Sequence, residues 1–185
     1  MLDHKDFEGI REDLKKFEEE RESTILKSRK IIQISKQIIY SVHRDDLKSA
    51  KQLTEEIKKE VKGLPDNPYD TDIHKTAIQE YVEALCYFEV VKNNKLPTRK
   101  ELGVDAECYL LGLCDLSGEL VRKAVADVIK KDFEEVKRVK KLVEDIYGEF
   151  LKFNLRNGEL RKKSGSIKWN LTRLEDIEYS LSMRK

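Results

Sequence analysis

Residues 3–44 constrain the fold most, because they form a single helical pattern that no proline interrupts. Its first half is dense in Glu, Lys and Arg, and its second half carries an apolar stripe with a spacing of three or four residues. At about 1.5 Å per residue, such a helix is longer than a small domain is thick. It must therefore pack along other helices or against another subunit. The apolar positions of the two halves are Phe7, Ile10, Leu14 and Phe17, and then Ile31, Ile34, Ile38 and Val42.

Composition favours one all-helical domain over residues 1–185. The chain is 39% charged and 39% hydrophobic, with eight Gly and three Pro, which is typical of a helical bundle with charged outer faces. The net charge of +1 gives no overall basic field, so a nucleic acid would have to meet a segregated basic patch. No apolar leader or membrane-spanning run is visible, so a cytoplasmic location is expected.

Five more helices are predicted after the first. The second begins at Asp45-Asp46 and is closed by Gly63, Pro65 and Pro68. A polar loop over residues 93–103 separates the third helix from the fourth. The predicted ranges are about 70–93, 107–123, 131–153 and 167–183 for the remaining four helices.

Known chemical motifs are few. Cys86, Cys108 and Cys114 lack CxxC spacing and nearby histidines, so we expect buried, reduced thiols and no zinc site. No phosphate-binding loop, HExxH sequence or nucleophile elbow is present. The three histidines are isolated in sequence.

Two pairs of acids stand out within apolar helical runs. Asp115 and Glu119 lie one helical turn apart, and Glu80 and Glu83 lie three residues apart, so each pair shares a helix face. Like charges in a partly buried place are costly unless a cation or a proton joins them. The alternative is local: Glu119 pairs with Arg122 or Lys123, Asp115 lies at an exposed edge, and Glu80 and Glu83 are a solvated pair.

Basic residues concentrate in two segments. Residues 151–173 hold seven Lys or Arg, one acid and Trp169, and the second half of the first helix is also basic. Basic side chains with an aromatic ring hold phosphates and stack bases in many single-strand-binding proteins. The alternatives are a solvated charged face and a basic loop beside a core tryptophan.

Several stretches together resemble the translin family, and its TRAX (translin-associated factor X) branch more than translin itself. The resemblance runs in order along nearly the whole chain. It is carried by Ser28-Arg29-Lys30-Ile31, Val42-His43-Arg44, Gln79-Glu80-Tyr81-Val82-Glu83-Ala84, Tyr109-Leu110-Leu111-Gly112, Asp115-Leu116-Ser117-Gly118-Glu119-Leu120 and the C-terminal Leu160-Arg161-Lys162-Lys163.

The resemblance implies an all-helical protein that assembles into a closed shell, a homo-octamer or a mixture with a translin-like second subunit. It also implies a metal-dependent endoribonuclease acting on single-stranded RNA, with single-stranded DNA as a further ligand. Glu80, Glu83, Asp115 and Glu119 match the catalytic acids, and carboxylates suit Mg²⁺ or Mn²⁺. Glu83 and Asp115 are the preferred metal ligands.

The candidate phosphate contacts are Arg29, Lys36, Arg44, Arg161, Lys162, Lys163 and Lys168. Two other functions stay open at this point. One is a translin-like protein that binds single-stranded nucleic acid without cutting it. The other is a helical adaptor with no nucleic-acid partner, which the near-neutral net charge favours.

Overall fold

Helices make up most of the chain that the structure describes. The computed structural model describes residues 2–65, 69 and 71–183, and in these ranges it contains seven α-helices and no strand. This confirms the predicted all-α class and the long first helix. The helices are α1 (His4–His43), α2 (Leu47–Lys62), α3 (Ile73–Asn93), α4 (Arg99–Leu102), α5 (Ala106–Lys130), α6 (Phe133–Phe150) and α7 (Glu159–Ser182).

Aspartates begin most of these helices. The side chains of Asp3, Asp46, Asp105 and Asp132 each accept a hydrogen bond from a backbone N–H in the first turn of α1, α2, α5 and α6, which satisfies groups that the helix itself leaves unpaired. Gly63 follows the end of α2 as predicted. Pro68 lies outside the described residues.

Three parts of the predicted helix pattern were wrong. The helix predicted over residues 107–123 continues to Lys130 as α5. The polar loop over residues 93–103 contains the short helix α4, which Thr98 and Glu101 start with a reciprocal capping box. Helix α7 begins at Glu159 rather than near residue 167. The basic segment is therefore helical, and Lys163 has a fixed position on the inner side of α7.

Four long helices lie side by side in the order α1, α3, α5, α7. Helix α2 packs on α1 and more lightly on α3, while α6 packs on α5 and α7. Helix α3 is enclosed on most sides, because every residue from Ala77 to Phe88 except Glu80 is buried. Cys86, Cys108 and Cys114 are buried and free of disulfides, as predicted. No described helix has the length and apolar character needed to cross a membrane.

Several large apolar side chains of the bundle are exposed. The predicted apolar side of the first half of α1 is exposed, with Phe7, Ile10, Leu14 and Phe17 at 36–61%. Trp169 on α7 is 76% exposed, so the alternative of a core tryptophan was wrong. Only the second half of α1, from Thr24 to Val42, contributes buried side chains to the domain.

Helices α3 and α5 approach each other unusually closely at Gly112. A Cβ atom added to Gly112 would lie 2.6 Å from Val82 Cγ1 and 3.0 Å from the Gln79 carbonyl oxygen. A side chain here would push the two helices apart. Gly112 therefore sets the separation of the helices that carry all four candidate acids.

We predict that Gly112→Ala destabilises the fold by about 1–3 kcal/mol, because the added methyl overpacks a rigid contact. Gly118→Ala on the same helix is the control, since its Cβ would meet only Asn170 Nδ2 at 3.8 Å. That control should be neutral or stabilising by up to about 1 kcal/mol. Denaturant unfolding of both variants measures the difference, and equal stability would contradict the close approach.

Candidate acidic site

The fold brings the four predicted acids together. Glu80 and Glu83 lie on α3, and Asp115 and Glu119 lie on the facing side of α5. The charges of Asp115, Glu80 and Glu119 all act on Glu83, and those of Asp115 and Glu119 act on Glu80. The two sequence pairs thus form one cluster between two helices, which we call the acidic cluster.

Glu83 is the most enclosed member of the cluster. Its residue is 8% exposed, and its carboxyl makes no hydrogen bond or ion pair with the residues that the structure describes. Burial, and to a lesser degree the neighbouring carboxylates Asp115, Glu80 and Glu119, raise its pKa to about 8. Around neutral pH this carboxyl keeps a proton unless a cation replaces it. The alternative of a solvated glutamate was wrong for Glu83.

Glu80 is only half-buried. Burial raises its pKa above the usual value, and the charges of Asp115 and Glu119 act in the same direction. Lys36 on α1 and Lys163 on α7 oppose this rise. Of the seven predicted phosphate contacts, Lys36 and Lys163 are therefore the two that the fold places beside the acidic cluster.

Asp115 is held from two sides. Lys163 Nζ donates to Asp115 Oδ2 at 2.6 Å, and the Gln79 side-chain amide donates to the same oxygen. The exposed-edge alternative does not describe Asp115, which is only partly exposed and tied to both α3 and α7. Gln79 is itself buried.

Glu119 is held by His43, which was not among the site residues predicted from the sequence. His43 Nε2 is hydrogen bonded to Glu119 Oε2, and His43 Nδ1 lies 3.0 Å from the Tyr87 hydroxyl. Arg122 Nη1 lies 3.6 Å from the same Glu119 oxygen. The predicted pairing of Glu119 with Arg122 or Lys123 is therefore confirmed for Arg122. The hydrogen bond from His43 is the main reason that the pKa of Glu119 is lowered. The available signal was the position of His43 directly after the apolar stripe of α1.

The other five predicted phosphate contacts do not reach the acids. Arg44 donates to the Tyr40 hydroxyl at 3.0 Å, and Arg161 donates to the Leu155 carbonyl at 3.0 Å. Both are exposed. Arg29, Lys162 and Lys168 are also exposed and have no ion pair within the described part of the chain.

The donor set fits a hard divalent cation, although the side chains do not surround one in this arrangement. Among residues 2–65, 69 and 71–183, no group of three or more His, Cys, Asp or Glu is placed to hold a metal ion. Asp115 is turned to Lys163, and Glu119 to His43. However, carboxylate oxygens from two helices, including one buried and unpaired carboxyl, are the ligands that Mg²⁺ and Mn²⁺ prefer.

Comparisons with known proteins identify a family and several relatives. The model of the translin family matches residues 19–185. An uncharacterized protein of Methanocaldococcus jannaschii is 37% identical over 138 residues, covering 71% of this chain and 61% of that protein. Chicken (Gallus gallus) translin is 33% identical over 44% of this chain and 35% of its own length. Translin-associated protein X of Pongo abelii is 24% identical over 96% of this chain and 78% of its own.

Solved structures show the same fold. The crystal structure of apo-NeC3PO is 32% identical, covers 95% of this chain and 96% of its own, and has a TM-score of 0.87. The structure of an AfC3PO–duplex RNA complex has a TM-score of 0.85 at 23% identity, covering 97% of both chains. This chain thus spans nearly all of those structures but only 61% and 35% of the lengths of the M. jannaschii protein and chicken translin.

The raised pKa of Glu83 predicts that the stability of the fold depends on pH. Unfolded Glu83 ionises near its ordinary pKa of 4.5, whereas the folded carboxyl ionises at about 8. Between these values the folded chain holds an extra proton, so the free energy of unfolding falls as pH rises through this range and levels off above it. The total change is on the order of a few kcal/mol.

Glu83→Gln should remove this slope and make the protein more stable than the wild type at pH 8.5. Denaturant unfolding between pH 5 and 9 in the presence of a chelator measures it. The exposed Glu175→Gln provides the control and should keep the wild-type slope. An unchanged slope in Glu83→Gln would show that Glu83 is not the titrating group.

Proposed function

Since the chain belongs to the translin family, we propose that it is a metal-dependent endoribonuclease that cleaves single-stranded RNA at the acidic cluster. The observation that carries the proposal is the buried, unpaired Glu83 among three further carboxylates. Folding such a cluster is unfavourable in the absence of a positive charge. A bound cation would balance these negative charges, which accounts for a cluster that stability alone does not explain.

The four acids have two kinds of role in this proposal. Glu83 and Asp115 are the ligands for Mg²⁺ or Mn²⁺, with Glu80 and Glu119 as further ligands or as hydrogen-bond partners of metal-bound water. A bound divalent cation supplies charge stabilisation at the phosphoryl oxygen and a more acidic water. Glu83 must lose its proton to act as a ligand, so cation binding is favoured as pH rises towards 8.

Lys36 and Lys163 would hold the RNA backbone beside the acids. Both flank Glu80, one from α1 and the other from α7. A phosphate that reaches Lys163 competes with Asp115 for the same ammonium group. RNA binding would therefore release Asp115 for the metal. Contacts to phosphates rather than bases predict cleavage with little sequence preference.

We also propose that the protein acts as an oligomer, in a closed shell of its own copies or with a translin-like second subunit. The exposed apolar side of the first half of α1 supports self-association, because isolated bundles rarely leave such a stripe in water. Among the relatives, AfC3PO has been solved with duplex RNA, which agrees with an RNA ligand for this fold.

The second candidate function is binding of single-stranded nucleic acid without cleavage. Two observations favour it: Asp115 is paired with Lys163, and no described set of side chains is arranged as a metal site. In that case the Lys163–Asp115 pair is a structural contact between α5 and α7. Cleavage experiments separate the two functions.

We predict metal-dependent cleavage of a labelled single-stranded RNA, lost by more than about 100-fold in Asp115→Asn because a metal ligand is removed. Asp145→Asn, on the exposed side of α6, is the control and should keep full activity. RNA affinity of Asp115→Asn should be unchanged or higher. The mass of the same preparation should be several times the 21.7 kDa of one chain.

Cleavage that persists in Asp115→Asn or in excess EDTA would contradict the nuclease assignment. Tight binding without cleavage by the wild type would favour the non-catalytic function. A monomeric mass in light scattering would exclude the shell.

Lys163→Ala should weaken RNA binding and also tighten Mn²⁺ binding, because it removes one phosphate contact and releases Asp115. For a single strand, losing one contact lowers the slope of log affinity against log salt by about 0.7. Lys51→Ala on the exposed side of α2 is the control. Fluorescence anisotropy over a salt series measures the first effect and Mn²⁺ titration the second. Weaker Mn²⁺ binding in Lys163→Ala would contradict the competition for Asp115.

A further inference from the structure

A line of three side chains connects the buried interior to the acidic cluster. Tyr87 on α3, His43 at the end of α1 and Glu119 on α5 are linked by two hydrogen bonds, both made by the His43 ring. Tyr87 is 1% exposed and the His43 side chain 8%. The ring is therefore fixed by its surroundings before it meets Glu119.

The chemistry of the three groups assigns their roles. An ionised carboxylate only accepts hydrogen bonds, so His43 Nε2 must carry a proton and donate to Glu119. In the neutral ring, Nδ1 then accepts from the Tyr87 hydroxyl. Burial raises the pKa of Tyr87, so this hydroxyl stays protonated and remains a donor.

The contacts of Glu119 fall on one oxygen. Both His43 and Arg122 approach Oε2, and within the described residues Oε1 has no hydrogen bond or ion pair. A carboxylate held by one oxygen has a fixed plane, and its second oxygen remains available to a ligand. Partners of this kind commonly orient ligating carboxylates in metal sites.

We propose that His43, itself held by Tyr87, is a positioning residue that fixes the Glu119 carboxylate for the acidic cluster. The inference rests on the proposed function. It explains why a histidine is buried at the end of α1 and touches two other helices. His43 does not touch the reacting atoms in this proposal and acts only through Glu119.

Two substitutions at one position separate positioning from packing. In His43→Gln the side-chain amide nitrogen takes the place of Nε2 and still donates to Glu119. In His43→Asn the amide lies nearer the place of Nδ1, so it faces Tyr87 and loses Glu119. Tyr87→Phe removes only the support. Tyr81→Phe is its matched control, because Tyr81 is a buried tyrosine of the same helix whose hydroxyl donates to the Leu102 carbonyl, 3.4 Å away.

Mn²⁺ affinity, measured by electron paramagnetic resonance, and RNA cleavage should fall about 10–100-fold in His43→Asn. His43→Gln should restore both to within a few-fold of the wild type, and Tyr87→Phe should lie between the wild type and His43→Asn. Tyr81→Phe should match the wild type. RNA affinity without metal should be the same in all five proteins.

Equal Mn²⁺ affinity in His43→Asn and His43→Gln, whether both are normal or both reduced, would overturn the inference, because only the Gln amide reaches Glu119. If His43→Asn does not fold, wild-type Mn²⁺ affinity in Tyr87→Phe overturns it instead. A wild type that binds no Mn²⁺ and cuts no RNA would refute the proposed function, and the positioning role with it. Loss in His43→Asn with recovery in His43→Gln, beside an active wild type and an active Tyr81→Phe, supports the positioning role.

Discussion

The contact between Gly112 and Val82 determines where the acids lie. Helices usually pack with side chains between them, at about 8–10 Å between axes, but here the α5 backbone meets α3 directly. Gly112, Asp115 and Glu119 have the spacing i, i+3 and i+7, so they share one face of α5. The same glycine that brings the helices together therefore turns two carboxylates towards Glu80 and Glu83.

This arrangement leaves an imbalance of charge that the chain compensates from both sides. Helix α1 contributes Lys36 and His43, and α7 contributes Lys163, while Glu83 in the middle has no partner among the described residues. Burial and like charges together raise the pKa of Glu83 to about 8. In the proposed function, a cation replaces the proton that this carboxyl keeps at neutral pH among the other carboxylates. Stability and the proposed chemistry thus depend on the same group.

The sequence alone predicted the parts of the site better than their arrangement. Helical periodicity was sufficient for the long α1 and for both acid pairs, because each is a local pattern. It did not show that the two pairs face each other, which depends on the packing at Gly112 and which only the family resemblance suggested. His43 and Tyr87 are 44 residues apart, and no local pattern links them. The start of α7 was misplaced because its first turns are basic and rich in Gly and Ser, and their periodicity is weak.

Anomalous diffraction from crystals grown with Mn²⁺ tests the central claim most directly, because it locates the ion independently of activity. We expect Mn²⁺ density bounded by Glu83, Asp115 and at least one of Glu80 and Glu119, with Lys163 no longer on Asp115. Crystals of protein that cleaves RNA under the same Mn²⁺ concentration but show no density in the acidic cluster would contradict the account.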